Sequence, residues 1–114
     1  MRRLIDAIWP LSVESGLSRA YRRALSCHGA TPQGVFWNSS KSQAARFATL
    51  LGTVADHAGR RNPSIADIGC GYGPMLNYMR DRPQYRGWQY AGIDITRAMI
   101  AEARRRHPQD AARF

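Results

Sequence analysis

The segment Asp67-Ile68-Gly69-Cys70-Gly71-Tyr72-Gly73-Pro74 constrains this chain more than any other. It sets a carboxylate and three alternating glycines where a short apolar run, Ser64 to Ile68, hands over to a helix opened by Pro74. Proline suits the first helical position, where its missing N–H costs nothing. Glycine admits positive φ and lets a ligand approach the backbone with no Cβ in the way. A second apolar run, Trp88 to Asp94, ends on another carboxylate and leads into a helical stretch through Met99, Ile100 and Ala103 to Pro108, with Thr96 placed to cap it. In open parallel sheets ligands sit beyond the carboxyl ends of the strands. Asp67, the glycines and Asp94 are therefore expected on one rim, where Asp94 can accept hydrogen bonds from both hydroxyls of a ribose. The pattern reads as a nucleoside-binding site.

The rest of the chain supplies helices around these strands. Leu17, Tyr21, Ala24 and Leu25 recur at helical spacing and predict an amphipathic helix. Pro10 ends any earlier helical turn, and the stretch from Gly29 to Gly34, with Thr31-Pro32, reads as a loop. Ser40-Lys41-Ser42-Gln43 has the spacing of a capping box, and Ala44, Phe47, Ala48, Leu51, Val54, Ala55 and Ala58 hold one face of the helix that follows, up to Gly59. Arg60 and Arg61 sit by its negative end. Met75, Leu76 and Met79 give the helix after the glycine loop an apolar side until Pro83. Helix, strand, helix, strand, helix argues for an α/β fold with a parallel sheet. Ala112-Arg113-Phe114 offers the start of a third strand.

Composition narrows the class. With 114 residues the chain is one domain with a modest core, and no apolar run approaches the roughly 20 residues of a membrane helix. Asp6 and Pro10 interrupt any signal-peptide core. Cys27 and Cys70 have no metal-ligand or disulfide spacing, and His28, His57 and His107 show no ligand or triad spacing. No metal is expected, and a cytoplasmic location fits. The net charge of +9 invites a nucleic-acid partner. Its arginines, however, are spread from Arg2 to Arg113 in small clusters, as on solvated helix faces, so nucleic acid is not the expected partner.

The loop itself discriminates among nucleotide sites. A dinucleotide fingerprint is GxGxxG, whereas this loop is GxGxG followed by Pro74 and preceded by Asp67, and a Walker A loop is absent. It fits a ligand that carries an amino acid and a nucleoside but no phosphate. At these residues the chain resembles the class I S-adenosylmethionine-dependent methyltransferases, over about residues 64–107. Asp67 to Gly73 corresponds to their first motif, and Gly92-Ile93-Asp94-Ile95 with Met99, Ile100 and Ala103 to their second. More loosely, Gly34-Val35-Phe36-Trp37-Asn38, Gln43 and Arg46-Phe47 look like the segment before the first motif in some bacterial small-molecule methyltransferases.

The resemblance implies an incomplete Rossmann-like sheet, with residues 1–36 as a helical extension and 37–114 as the N-terminal half of a methyltransferase domain. S-adenosyl-L-methionine is the implied cofactor and a small molecule the methyl acceptor. Asp67 would hold the methionyl amino group, Gly69 and Gly71 would bring backbone against the methionyl part, Asp94 would bind the ribose diol and Ile95 would lie against adenine. Cys70 belongs to the same loop, at a variable position. Trp37 is a candidate cover for the cofactor. The later strands and loops, where a catalytic base commonly sits, are not in this sequence, so the chain is expected to be truncated, with an exposed sheet edge prone to self-association. Asp67 as a cap for the loop amides and Asp94 as a helix cap near Thr96 are the competing local readings. A nicotinamide or flavin oxidoreductase fragment, and a non-catalytic basic module for RNA or protein, are the competing functions.

Overall fold

The computed structural model describes residues 16–35 and 39–114. The basic start with Pro10, and Trp37 with its expected role, lie outside the described residues. Helix α1 (Gly16–His28) and a 3-10 turn (Pro32–Val35) precede α2 (Ser40–Ala58). Then come β1 (Ser64–Ile68), α3 (Pro74–Arg80), a 3-10 turn (Pro83–Tyr85), β2 (Gln89–Ile93), α4 (Arg97–Arg106) and a 3-10 segment (Pro108–Arg113). The two strands pair in parallel, Ile65 opposite Tyr90 and Asp67 opposite Gly92. The fold is thus α/β, an incomplete Rossmann-like sheet of two strands with helices.

Two helices differ in detail from their sequence patterns. In α1 the buried positions are Ser18 and Ala24, while Leu17 is 59% exposed. The buried face is rotated toward small residues, and Ser18 Oγ comes within 3.4 Å of Thr96 Oγ1 at the start of α4. In α2 the cap is Ser39, one residue earlier than the box expected at Ser40. Its backbone is extended (φ −161°, ψ 159°), so its hydroxyl can turn back and accept from the Ser42 N–H at 3.1 Å. A residue already in helical conformation cannot do this. Gln43 is thereby released from capping and buried. The helix ends as expected at Gly59, whose φ of 62° lets its N–H reach the Ala55 carbonyl at 3.0 Å.

Leu51 from α2, Met75, Leu76 and Met79 from α3, Tyr90 from β2 and Ala103 from α4 form one core with Phe114. Burying a side chain such as Leu51 stabilises by about 1.5–3 kcal/mol. Side chains alternate along β1: Ile65 packs against this core, whereas Ser64, Ala66 and Ile68 are exposed on the opposite face. Where a third strand was expected to start, the chain makes 3-10 turns instead. Pro108 fixes the first turn, and the side chain of Phe114 explains the rest. It stacks edge-on to Tyr90 with ring centroids 5.8 Å apart and fills the space over Gly92, where a Cβ would stand 2.6 Å from its Cδ1. Arg113 reaches the Tyr90 carbonyl through Nη1 at 3.4 Å.

Candidate functional site

The glycine loop closes over the tip of β2. Gly69, Gly71 and Gly73 have φ of 80°, 57° and 87°, so each alternate residue takes the left-handed conformation that only glycine adopts without strain. This winding aims the loop's amides inward. Gly69 N–H and Cys70 N–H both donate to the Ile93 carbonyl, at 2.7 and 3.0 Å, and Gly73 N–H donates to the Cys70 carbonyl at 3.1 Å. Gly71 N–H donates to Asp94 Oδ2 at 2.9 Å. Little of the loop's donor capacity remains for an anion, which separates it from phosphate-binding loops that present such amides to their ligand.

Two carboxylates flank the loop. Asp67 Oδ2 accepts from the Tyr90 hydroxyl at 2.7 Å. Burial lifts the Asp67 carboxyl above the usual carboxylate range, opposed by the Tyr90 hydrogen bond and reinforced by the charge of Asp94. Burial and the neighbouring Asp67 likewise push the Tyr90 hydroxyl up, so Tyr90 stays a donor. Asp94 bridges two elements: besides Gly71, its Oδ1 accepts from Thr96 N–H at 2.8 Å. Thr96 holds the N-cap position of α4 with no capping bond from its own side chain. The cap is Asp94. Its oxygens keep further acceptor capacity, since an ionised carboxylate offers about four lone-pair sites. Cys70 is 4% exposed, and burial followed by the charges of Asp67 and Asp94 pushes its thiol far up, which disfavours the thiolate that a nucleophile needs.

These residues surround a cavity of about 510 Å³. Asp67, Gly69, Cys70, Gly71, Asp94 and Ile95, expected together from the sequence, all line it. Two contributions come from outside the strand tips. Helix α1 brings Leu17 and Tyr21, and α2 brings Gln43, Arg46, Phe47 and Leu50. Among the described residues the exposed large hydrophobic side chains are Leu17, Leu50, Ile68 and Ile95, and every one of them lines this cavity. Leu17 and Leu50 both carried a sequence signal: Leu17 belongs to the apolar stripe predicted for its helix, and Leu50 is an apolar neighbour of the buried Leu51. The walls are mostly apolar, with acidic groups concentrated at the strand tips.

The fold and this site define a Rossmann-like α/β domain with its ligand cavity at the carboxyl ends of parallel strands. Residues 65–114 match a protein family described as methyltransferase domain, a match that supports a class I S-adenosylmethionine-dependent methyltransferase-like domain over this segment. No curated protein and no solved structure gives a significant match. Among the described residues, no helix is long and apolar enough to cross a membrane.

Proposed function

We propose that the cavity over the strand tips binds S-adenosyl-L-methionine and that the protein is a methyltransferase acting on a small molecule, or the cofactor-binding part of one. The observation that carries this reading is the convergence of Leu17, Leu50, Ile68 and Ile95, otherwise exposed, on the cavity that holds Asp67 and Asp94. Exposed apolar side chains gathered in a concave site favour a ligand with a large apolar body. The carboxylates favour one that is cationic and hydroxylated. Because the loop amides bond within the fold, a pyrophosphate would find few donors, and this counts against a dinucleotide.

The residues present fit that cofactor. A Cβ at Gly69 would meet nothing within 4 Å, so the backbone there opens on free space that the methionyl part can occupy. Asp67 would hold the amino group through the oxygen that Tyr90 leaves without a hydrogen bond, Asp94 the ribose diol, and Ile95 the adenine face. When bound, the cofactor supplies an electrophilic methyl carbon on a sulfonium, whose departure needs no acid. The chain's contribution is then alignment and exclusion of water: Asp94 ties the loop to α4, while Leu17 and Leu50 wall the cavity. A cytoplasmic location and self-association through an exposed sheet edge belong to the same proposal.

The test is titration calorimetry of the purified protein with S-adenosylhomocysteine and, in parallel, NADH. Saturable binding of the first and none of the second is expected. NADH binding without S-adenosylhomocysteine binding would instead make this an oxidoreductase site.

A further inference from the structure

A second cavity, of about 300 Å³, lies behind the first, and Gln43, Phe47 and Pro74 form a wall common to both. We propose that it is a separate ligand site that takes a small aromatic carboxylate.

The first ground is a polar group without a partner. Gln43 is 6% exposed, and its Nε2 is buried with no hydrogen-bond partner among the described residues. The Tyr72 hydroxyl faces the same side chain, but no bond of normal hydrogen-bond geometry joins it to Nε2. Native interiors keep few such orphans unless a ligand or water supplies the acceptor.

The second ground is positive charge held in place. Arg82 stacks on Tyr78, its Cζ 3.5 Å from the ring centroid, and donates from Nη1 to the Tyr78 carbonyl at 3.0 Å. Arg106 lies 5.4 Å from the centroid of Tyr72 and donates from Nη1 to the Ala30 carbonyl at 3.4 Å. Each guanidinium has five N–H donors, so one anchoring bond leaves most of the fork available. Among the described residues neither is in an ion pair within 4 Å; the pairs present are Arg80–Asp110, Arg105–Glu102 and Arg113–Asp110. Asp81 lines the same cavity and offsets part of the charge.

The third ground is shape. Pro32, Ala44, Phe47 and Pro74 make an apolar side opposite the arginines. The volume is near the lower bound for small-molecule pockets, roughly 300 Å³, which suits one ring and its substituent. Inorganic phosphate would leave the apolar side uncovered. A neutral aromatic would leave both guanidinium groups unanswered. An aromatic carboxylate satisfies both and can also accept from Gln43 Nε2. None of this depends on what the larger cavity binds.

The test uses the full chain, isotopically labelled, titrated with sodium benzoate, benzamide and sodium phosphate by NMR. Benzoate is expected to give saturable shifts that include the Gln43 side-chain amide, with benzamide and phosphate at least about tenfold weaker. Arg82→Gln combined with Arg106→Gln should weaken benzoate by about tenfold or more while leaving the S-adenosylhomocysteine titration unmoved. A readout that needs no variant is the set of nuclear Overhauser contacts from the benzoate ring to Phe47 and Tyr72. Their absence at saturating benzoate, phosphate binding as tightly as benzoate, or benzoate affinity retained in a folded double variant would each overturn the proposal.

Discussion

The tips of β1 and β2 both end in a carboxylate, yet the two are held in opposite ways. Asp94 at the end of β2 accepts two backbone N–H groups, from Gly71 and Thr96, and so joins the glycine loop to α4. Asp67 at the end of β1 accepts one side-chain hydroxyl, from Tyr90, and carries no part of the chain's backbone. The difference separates two roles that the sequence pattern alone makes look alike. One carboxylate builds the site, and the other is displayed in it.

The largest expected effect comes from removing the builder. Asp94→Ala strands two buried backbone donors and should cost about 2–4 kcal/mol of stability, read by urea unfolding, together with a loss of S-adenosylhomocysteine affinity of more than about tenfold. If stability were unchanged, the bridging role of Asp94 would be wrong. A smaller effect is expected from Tyr90→Phe, which keeps the ring packed against Phe114 but removes the hydroxyl from Asp67; about 1 kcal/mol is expected, with the loop intact. A loss as large as that of Asp94→Ala would erase the contrast between the tips.

The smallest effect sharpens the contrast through pH. Burial raises the folded-state pKa of Asp67, so the native state holds its proton more tightly than the unfolded chain does. Relative stability from this group is then fully present below its unfolded pKa, near 3.8, and is lost as pH rises through the raised folded value. Asp67→Asn, which stays neutral, should therefore gain stability relative to the unaltered protein as pH climbs out of the acid range, measured as the difference between two thermal melts at each pH. The same substitution should weaken a ligand bearing an ammonium group, because the displayed charge is gone. A difference between melts that does not change with pH would contradict the burial of Asp67.

Much of the frame was legible in the residues. The span of β1, Pro74 at the start of α3, the left-handed glycines and the end of α2 at Gly59 all follow from local chemistry: strand propensity, a missing N–H, a missing Cβ. The six residues expected at the cofactor site share one cavity because two parallel strands with adjacent registers bring their ends together. What local pattern missed has nonlocal causes. Ser39 caps α2 because its own backbone is extended, an angle that residue types alone do not specify. Leu17 and Leu50 are apolar without being core, and periodicity cannot tell a wall of a cavity from a buried face.

Phe114 shows the same limit at the other end. Its short apolar setting resembles the start of a strand, but its ring drops into the space left by the absent side chain of Gly92, and the segment before it turns in 3-10 geometry. The sequence by itself determined which residues meet at the strand tips, because glycine, proline and alternating apolar residues act on their own backbone. The tertiary structure alone decided that Asp94 carries the loop, that Asp67 lines the cavity and that the Gln43 Nε2 is buried without a hydrogen-bond partner among the described residues. Those outcomes rest on distances between segments far apart in the chain, which no local preference encodes.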